Sequence, residues 1–317
     1  MNKSTFIYIG KRLLMVMITL LIIVFILFLM LKLMPGTPFN DEKLTPDQIA
    51  AINAKYGLDD PLPIQFMNYL KSMLKGDFGT SFAIARNYPV ADLVLPRAVI
   101  SFTIGISAVI FGTFVGISLG ILAALKRNTI WDSIATVLSV LGVSIPSFVF
   151  ALLLLILLGV KIPVFPVLYN TNAPLISSVL PMLALSTSVI ANVARFTRSE
   201  MIEVLHSEYM LLAEAKGINR RKLIFSHALR NTLIPVITVL APIMIALLTG
   251  SMVVEKICGI PGLGTLLVKA IETNDYNVVM AVAFLYSVLY IFMMLIVDLA
   301  YVVIDPRIRL TKGGSNE

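Results

Sequence analysis

Charged residues are scarce in this sequence. They make up 14% of its 317 residues, whereas 58% of the residues are hydrophobic. A soluble globular domain averages about 25% charged and about 45–50% apolar residues. Both differences indicate lipid as the main solvent of the chain. The composition therefore argues against an ordinary soluble domain and predicts a membrane protein.

Cysteine and histidine are almost missing. Cys258 is the only cysteine, so an internal disulfide is impossible. The two histidines, His206 and His227, have a spacing that fits no metal site. A Walker A phosphate-binding pattern is also lacking. We therefore expect no catalytic residues, no metal and no cofactor on this chain, and we expect it not to be an enzyme.

Six stretches of the chain are apolar over the roughly 20 residues that a membrane-spanning helix needs. No stretch has an ionisable residue near its centre. Ion-coupled carriers usually need such groups near the membrane midplane, so an energy source outside this chain explains transport better than an ion gradient does. The predicted spans are residues 10–32, 98–124, 133–159, 175–197, 232–254 and 278–303.

Lysine and arginine set the predicted orientation. Basic clusters precede the first span, separate the second from the third, surround the fourth-to-fifth connection and follow the sixth span. Such clusters mark cytoplasmic loops, so both termini are predicted to be cytoplasmic, and the net charge of +7 needs no nucleic-acid partner. We divide the chain into an N-terminal spanning helix (1–34), an extracytoplasmic cap (35–97), a core of five spans (98–304) and a cytoplasmic tail (305–317).

Local signals refine two of these parts. In the cap, capping residues and apolar spacing predict one short helix over Thr45–Gly57, and a second short helix is predicted over Pro63–Leu74. In the second span, a row of glycines at four-residue spacing puts three missing side chains on one face, which predicts close packing against another helix. These glycines are Gly112, Gly116 and Gly120.

The 198–231 segment is predicted to project from the membrane as two short helices at a sharp angle. Gly217 is placed to end the first helix, and Asn219 to cap the second. The segment could lie on anionic lipid, or it could dock as a rigid knob into a cytoplasmic partner. The acidic first helix favours docking. An apolar stripe at helical spacing is formed by Ile202, Leu205, Tyr209 and Leu212.

This segment also carries a family resemblance. Its pattern resembles the cytoplasmic-loop signature of binding-protein-dependent ABC permeases: Ala213, Ala215, Lys216 and Gly217, then His227, Ala228, Leu229, Arg230, Asn231, Leu233 and Pro235. The general signature begins Glu-Ala-Ala, whereas this chain has Leu211, Leu212 and Ala213, a departure usual in the peptide-transporter branch. Residues 34–39, 55–66, 76–79, 250–264 and 304–310 look like other parts of that branch, most of all its oligopeptide permease B subunits.

The resemblance implies a type I ABC importer permease with six transmembrane helices in a bacterial inner membrane. It implies a homologous second permease, two cytoplasmic ATPases that use ATP and Mg, and an extracytoplasmic peptide-binding protein. The residues expected to couple to the ATPases are Glu203, Ala213, Lys216, Gly217 and Arg220. Dipeptide, nickel and glutathione importers share this architecture. A passive channel or an ion-coupled carrier is the rival from another class.

Overall fold

The computed structural model describes residues 3–33, Thr45 and 59–304. These residues are mostly helical, and the only β pairing among them is an isolated bridge between Thr80 and Pro89. Most of the predicted Thr45–Gly57 helix and the whole 305–317 tail lie outside the described residues.

The helices, in chain order, are α1 (Lys3–Leu33), α2 (Leu62–Leu74), α3 (Val90–Leu125), α4 (Ile130–Ser144), α5 (Ser147–Leu154), α6 (Pro174–Ser177), α7 (Val179–Leu205), α8 (Glu208–Ala215), α9 (Arg220–Lys222), α10 (Leu229–Ile257), α11 (Leu263–Glu272) and α12 (Tyr276–Ile304). Short π-helices follow α5 over Leu155–Lys161 and α9 over Leu223–Ala228. Helix α2 confirms the helix predicted over Pro63–Leu74.

Four helices are long and apolar enough to cross a membrane. They are α3, α7, the Gly10–Met30 part of α1 and the Tyr276–Leu295 part of α12. The pair Ile130–Ser144 and Ser147–Lys161 would make a fifth span if it acts as one. The prediction of an all-α membrane protein is thereby confirmed. In addition, α10 occupies the place of the span predicted over 232–254.

Two spans differ from their predicted form. The third was predicted as one helix over 133–159, but it breaks at Ile145 and Pro146, and its halves meet at 104°. The cause is Pro146, which lacks a backbone N–H and forces the preceding residue into an extended conformation. The second span starts at Val90, well before residue 98. Val90 and Leu93 are buried, so packing extends the helix beyond the predicted run, and the exposed Asp92 lies near the positive end of the helix dipole.

One compact unit combines Met1–Ser101 with Pro261–Phe292. In it, Phe66 of α2 packs edge-on against Phe25 of α1, with ring centroids 5.1 Å apart. Phe28, one turn along α1, contacts the same ring at 5.4 Å. These aromatic contacts hold the short helix against α1.

The other unit combines Phe102–Ile260 with Met293–Glu317, and α7 runs through it in contact with α4, α5 and α10. The glycine row of α3 lies directly against α7. A Cβ atom added to any of the three glycines would come within 2.5–2.8 Å of an α7 Cβ atom, which no real packing allows. The α7 residues that face Gly112, Gly116 and Gly120 are, in order, Val189, Val193 and Thr197.

Candidate functional site

The 198–231 segment begins on the last turns of α7, which continues past the predicted end of the fourth span and stops at Leu205. Ser207 then takes an extended conformation, and its hydroxyl donates a hydrogen bond to the carbonyl of Val204 at 2.6 Å. The chain turns here and re-enters a helix at Glu208. The break separates α7 from the short helix α8, where the sequence had suggested one helix across both.

This break makes the predicted apolar stripe wrong. Two non-helical residues reset the helical phase, so Tyr209 and Leu212 lie outside, with 45% and 57% of their surfaces exposed. Met201 and Met210 turn inward instead, and both are fully buried. They form a core with the four buried residues Ala124, Leu223, Ile224 and Ala228. This apolar cluster fixes α8 to the neighbouring helices.

Gly217 ends α8, as predicted. Its φ of +77° is in the left-handed region that L side chains rarely adopt, whereas the space around its missing side chain is open. The Gly217 N–H donates to the Glu214 carbonyl at 2.9 Å, and the Ile218 N–H donates to the Ala213 carbonyl at 3.3 Å. This hydrogen-bond pair is a Schellman motif, which closes the helix and fixes a sharp corner.

Asn219 caps the helix that follows, again as predicted. Its side-chain oxygen accepts a hydrogen bond from the Arg221 N–H at 3.1 Å. From there the chain passes through α9 and a π-helical turn into α10. A second tie joins the two arms of the segment, since the Asn231 side chain donates to the Tyr209 hydroxyl at 2.9 Å. The whole projection, residues 198–231, is called the knob below.

An ion pair that the sequence did not predict lies at the base of the knob. Arg198 donates from Nε to one oxygen of Asp132 at 2.6 Å and from a terminal nitrogen to the other at 2.9 Å. Asp132 is buried and also accepts from the Asn128 N–H at 3.0 Å. This two-pronged geometry is the strong form of an arginine–carboxylate contact. It ties the root of the knob to the turn between α3 and α4.

The residues predicted for coupling are spread over the knob. Ala213, Lys216 and Gly217 belong to the Schellman corner, and Arg220 is the first residue of α9. Glu203 lies in the last turn of α7, and no hydrogen bond or ion pair joins it to the others within the described chain. Ala213 is half-buried against the knob core, whereas the other four are exposed.

The outer surface of the knob mixes apolar and charged side chains. Leu211 and Leu212 are each 57% exposed, and Phe225 is 62% exposed. Basic residues of α9 stand beside them: Arg220, Arg221 and Lys222. Phenylalanine and arginine are enriched at protein interfaces, so this mixed surface suits the docking of a protein partner.

Comparisons with known proteins agree with this arrangement. Residues 116–310 match the family model of the binding-protein-dependent transport system inner membrane component, and residues 5–89 match the N-terminal model of such membrane components. The dipeptide transport system permease protein of Lactococcus lactis subsp. cremoris is 43% identical over 303 residues, covering 96% of this chain and 99% of that protein. The oligopeptide transport system permease protein of Salmonella typhimurium is 42% identical over 303 residues, covering 95% and 99%.

Two solved structures share the fold. An inward-facing MetNI methionine ABC transporter matches with a TM-score of 0.55 at 15% identity, covering 67% of this chain and 96% of that chain. An amino acid ABC transporter matches with a TM-score of 0.50 at 14% identity, covering 66% and 92%. At such identities the likeness concerns the fold alone. The family models and the close relatives together show that this multi-pass membrane protein belongs to the family of inner membrane components of binding-protein-dependent transport systems.

Proposed function

We propose that this chain is the transmembrane subunit of an ATP-driven importer that takes up oligopeptides delivered by an external binding protein. Support comes from relatives over 40% identical along nearly their whole length whose names specify peptide transport. The chain would form half of the translocation pathway, with a homologous second permease as the other half. Two cytoplasmic ATPases would bind the ATP and Mg.

The proposed topology has six spans and two cytoplasmic termini. The four long apolar helices and the bent pair α4–α5 supply five spans, and α10 supplies the sixth. In this topology the knob is cytoplasmic and α2 belongs to an extracytoplasmic cap. The basic residues of α9 then obey the positive-inside rule.

The observation that carries the proposal is the Gly217 corner of the knob. A helix end fixed by hydrogen bonds and supported by a buried methionine core is stiff enough to transmit a push from an ATPase. Ala213 and Gly217 contribute shape to the docking surface. Glu203, Lys216 and Arg220 contribute polar contacts. ATP binding would bring the ATPases together and move the two docked knobs.

The corner can be tested with Gly217→Val and Gly217→Asn. Valine in the left-handed region is strained by roughly 1–2 kcal/mol or more, whereas asparagine tolerates that region. Gly217→Val should therefore reduce ATPase co-purification and peptide uptake, and Gly217→Asn should largely preserve both. If the valine variant assembles and transports normally, the knob is not the coupling element.

The transport reaction itself is tested in proteoliposomes that contain the partner subunits and the binding protein. Uptake of a labelled peptide should require ATP inside the compartment that the ATPases face. Uptake that continues without ATP would exclude the importer and favour a channel or an ion-coupled carrier.

Dipeptides are a second candidate cargo. The dipeptide permease of Bacillus subtilis is also 43% identical over 308 residues, as close as the oligopeptide relatives. Competition between labelled tetrapeptide and unlabelled dipeptide distinguishes the two. Oligopeptide import predicts weak competition by dipeptides, and dipeptide import predicts the opposite.

A further inference from the structure

Helix α7 contacts α4, α5 and α10, and two of its sides pack especially closely against neighbours. One side faces the glycine row of α3 through Val189, Val193 and Thr197. A second side faces α4, where a Cβ atom on Gly142 would come within 2.9 Å of Ala191. Both contacts are close, so they leave no room for a further group at these positions.

A third side of α7 is polar and partly exposed. It carries four residues that fall within an arc of about 60° at 100° per residue. They are Ser188, Asn192, Arg195 and Ser199. Ser188 and Asn192 are half-buried, and Arg195 and Ser199 are exposed. We call these residues the polar stripe.

The stripe keeps unused hydrogen-bonding capacity. The Ser188 hydroxyl donates to the Leu185 carbonyl at 3.4 Å, and the Asn192 amide nitrogen donates to the Ser188 carbonyl at 2.8 Å, both within α7. The side-chain oxygen of Asn192 accepts no hydrogen bond from any described residue. Arg195 likewise forms no ion pair within the described chain, where the recorded arginine–carboxylate pair belongs to Arg198. Arg195 also borders a small cavity that residues of α3 and α4 line. The stripe therefore keeps one acceptor, the Asn192 oxygen, and one positive charge, Arg195, that no described residue pairs with.

Lipid is a poor neighbour for these groups. Ser188 lies near the middle of the span predicted over 175–197, and polar groups at membrane depth normally face a bundle interior or a water-filled cavity. Arg195 could extend toward the headgroups, but the short side chains of Ser188 and Asn192 have no such reach. The whole stripe therefore needs polar surroundings at this depth.

We propose that the polar stripe of α7 lines the translocation pathway and binds the main chain of the passing peptide, with Arg195 receiving its C-terminal carboxylate. This assignment rests on the proposed peptide-import function. Every peptide presents amide groups, and each one with a free C-terminus presents a carboxylate, so these contacts suit cargo of varied sequence. Ser188 and Arg195 are about 10 Å apart along the helix, roughly three extended peptide residues.

The position of the stripe also connects it to the knob. Arg198, one turn beyond Arg195, is held by Asp132 at the base of the knob. Because α7 is one continuous helix through both regions, a displacement of the docked knob is transmitted to the stripe. Peptide contacts would therefore change when the ATPases close.

Accessibility of introduced thiols tests the assignment in the assembled transporter. The natural Cys258 gives a low background, because it is 2% exposed and burial raises the pKa of its thiol to about 11. Ser188→Cys and Asn192→Cys should react with a membrane-impermeant maleimide severalfold faster than Val193→Cys, which faces the α3 glycine row. Saturating peptide with its binding protein should slow labelling at the stripe and leave position 193 unchanged.

Two results would overturn the assignment while ATP-dependent peptide uptake still stands. One is labelling at position 192 no faster than at position 193. The other is labelling that is blocked by the second permease but unaffected by peptide, which would make the stripe a subunit interface. If ATP-dependent peptide uptake is itself absent, the proposed function and this assignment both fail.

Arg195 is tested separately with two variants and two peptides. Loss of a charge-assisted hydrogen bond weakens binding roughly tenfold. Arg195→Gln should therefore reduce uptake of a peptide with a free carboxylate by about that factor relative to its C-terminally amidated form. Arg195→Lys should keep most of the preference. An equal reduction for both peptides would show that Arg195 does not receive the carboxylate.

Discussion

The knob and the 75–89 segment are both irregular connections, yet they are held by opposite means. The outer part of the knob is fixed by a buried apolar cluster that includes Met201 and Met210, and the charged residues of α8 and α9 are exposed. The 75–89 segment is fixed by a carboxylate. Asp275, which is fully buried, accepts hydrogen bonds from groups of this segment.

The contacts of Asp275 are concentrated on one oxygen atom. That oxygen accepts from the Ser81 hydroxyl at 2.5 Å and from the N–H groups of Ala83 and Ile84 at 3.0 and 3.1 Å. Nearby, the Asn277 side chain donates to the Thr80 carbonyl at 2.8 Å. A buried carboxylate thus replaces the regular backbone partners that a helix or a strand would supply.

The difference shows how each segment can be used. A segment held by an apolar core tolerates substitutions at its surface. The knob can therefore present leucine and arginine side chains to a partner without loss of its own structure. A segment organised around one carboxylate depends on that single group. Changes should therefore act on stability in the 75–89 segment and on coupling at the surface of the knob.

The largest effect is expected from Asp275→Ala. It leaves the Ser81 hydroxyl and two backbone N–H groups without their acceptor, and each buried unsatisfied group costs about 1–3 kcal/mol. The free energy of unfolding should fall by about 3 kcal/mol or more. Thermal unfolding of the detergent-purified transporter, with proteolysis of the 75–89 segment as a second readout, measures this change.

Asp92→Asn is the matched control, because Asp92 is an exposed carboxylate in the first turn of α3. Its stability should stay within about 0.5 kcal/mol of the unmodified chain. If Asp275→Ala and this control have the same melting temperature and the same resistance to protease, the Asp275 carboxylate does not organise the segment.

Met210→Ala should have the next largest effect, because it opens a cavity in the knob core. Such truncations cost about 2–5 kcal/mol when the site cannot collapse, and we expect about 3 kcal/mol here. Leu211→Ala removes an exposed side chain from the neighbouring position and should change stability by less than about 0.5 kcal/mol. Both variants are compared by thermal unfolding. Equal melting temperatures would mean that the knob is not held by its apolar core.

Features of the fold that depend on local chemistry could be predicted from the sequence. Gly217 and Asn219 signal a helix end and a cap because their conformational preferences act within one turn. The helix over Leu62–Leu74 was also predicted. The four long apolar helices α1, α3, α7 and α12 were predictable because lipid demands long apolar runs.

The remaining features depend on contacts between distant residues. Asp132 and Arg198 are 66 positions apart, and Ser81 and Asp275 are 194 positions apart, so no periodic pattern connects either pair. The helix break after Leu205 has no strong signal in the sequence, because serine at position 207 disfavours a helix far less than proline does. Missing that break moved the predicted apolar stripe to the wrong face of α8.

The smallest stability effect and the sharpest functional contrast are expected from Leu212→Ser. Leu212 is exposed on the knob, so the free energy of unfolding should change by less than about 0.5 kcal/mol. Peptide-stimulated ATP hydrolysis should nevertheless fall severalfold, because the lost side chain belongs to the proposed docking surface. Leu74→Ser removes an even more exposed leucine, 85% accessible at the end of α2, and should change neither quantity. If the two serine variants hydrolyse ATP alike, exposed leucine on the knob has no special role, and the surface of the knob is not where coupling occurs.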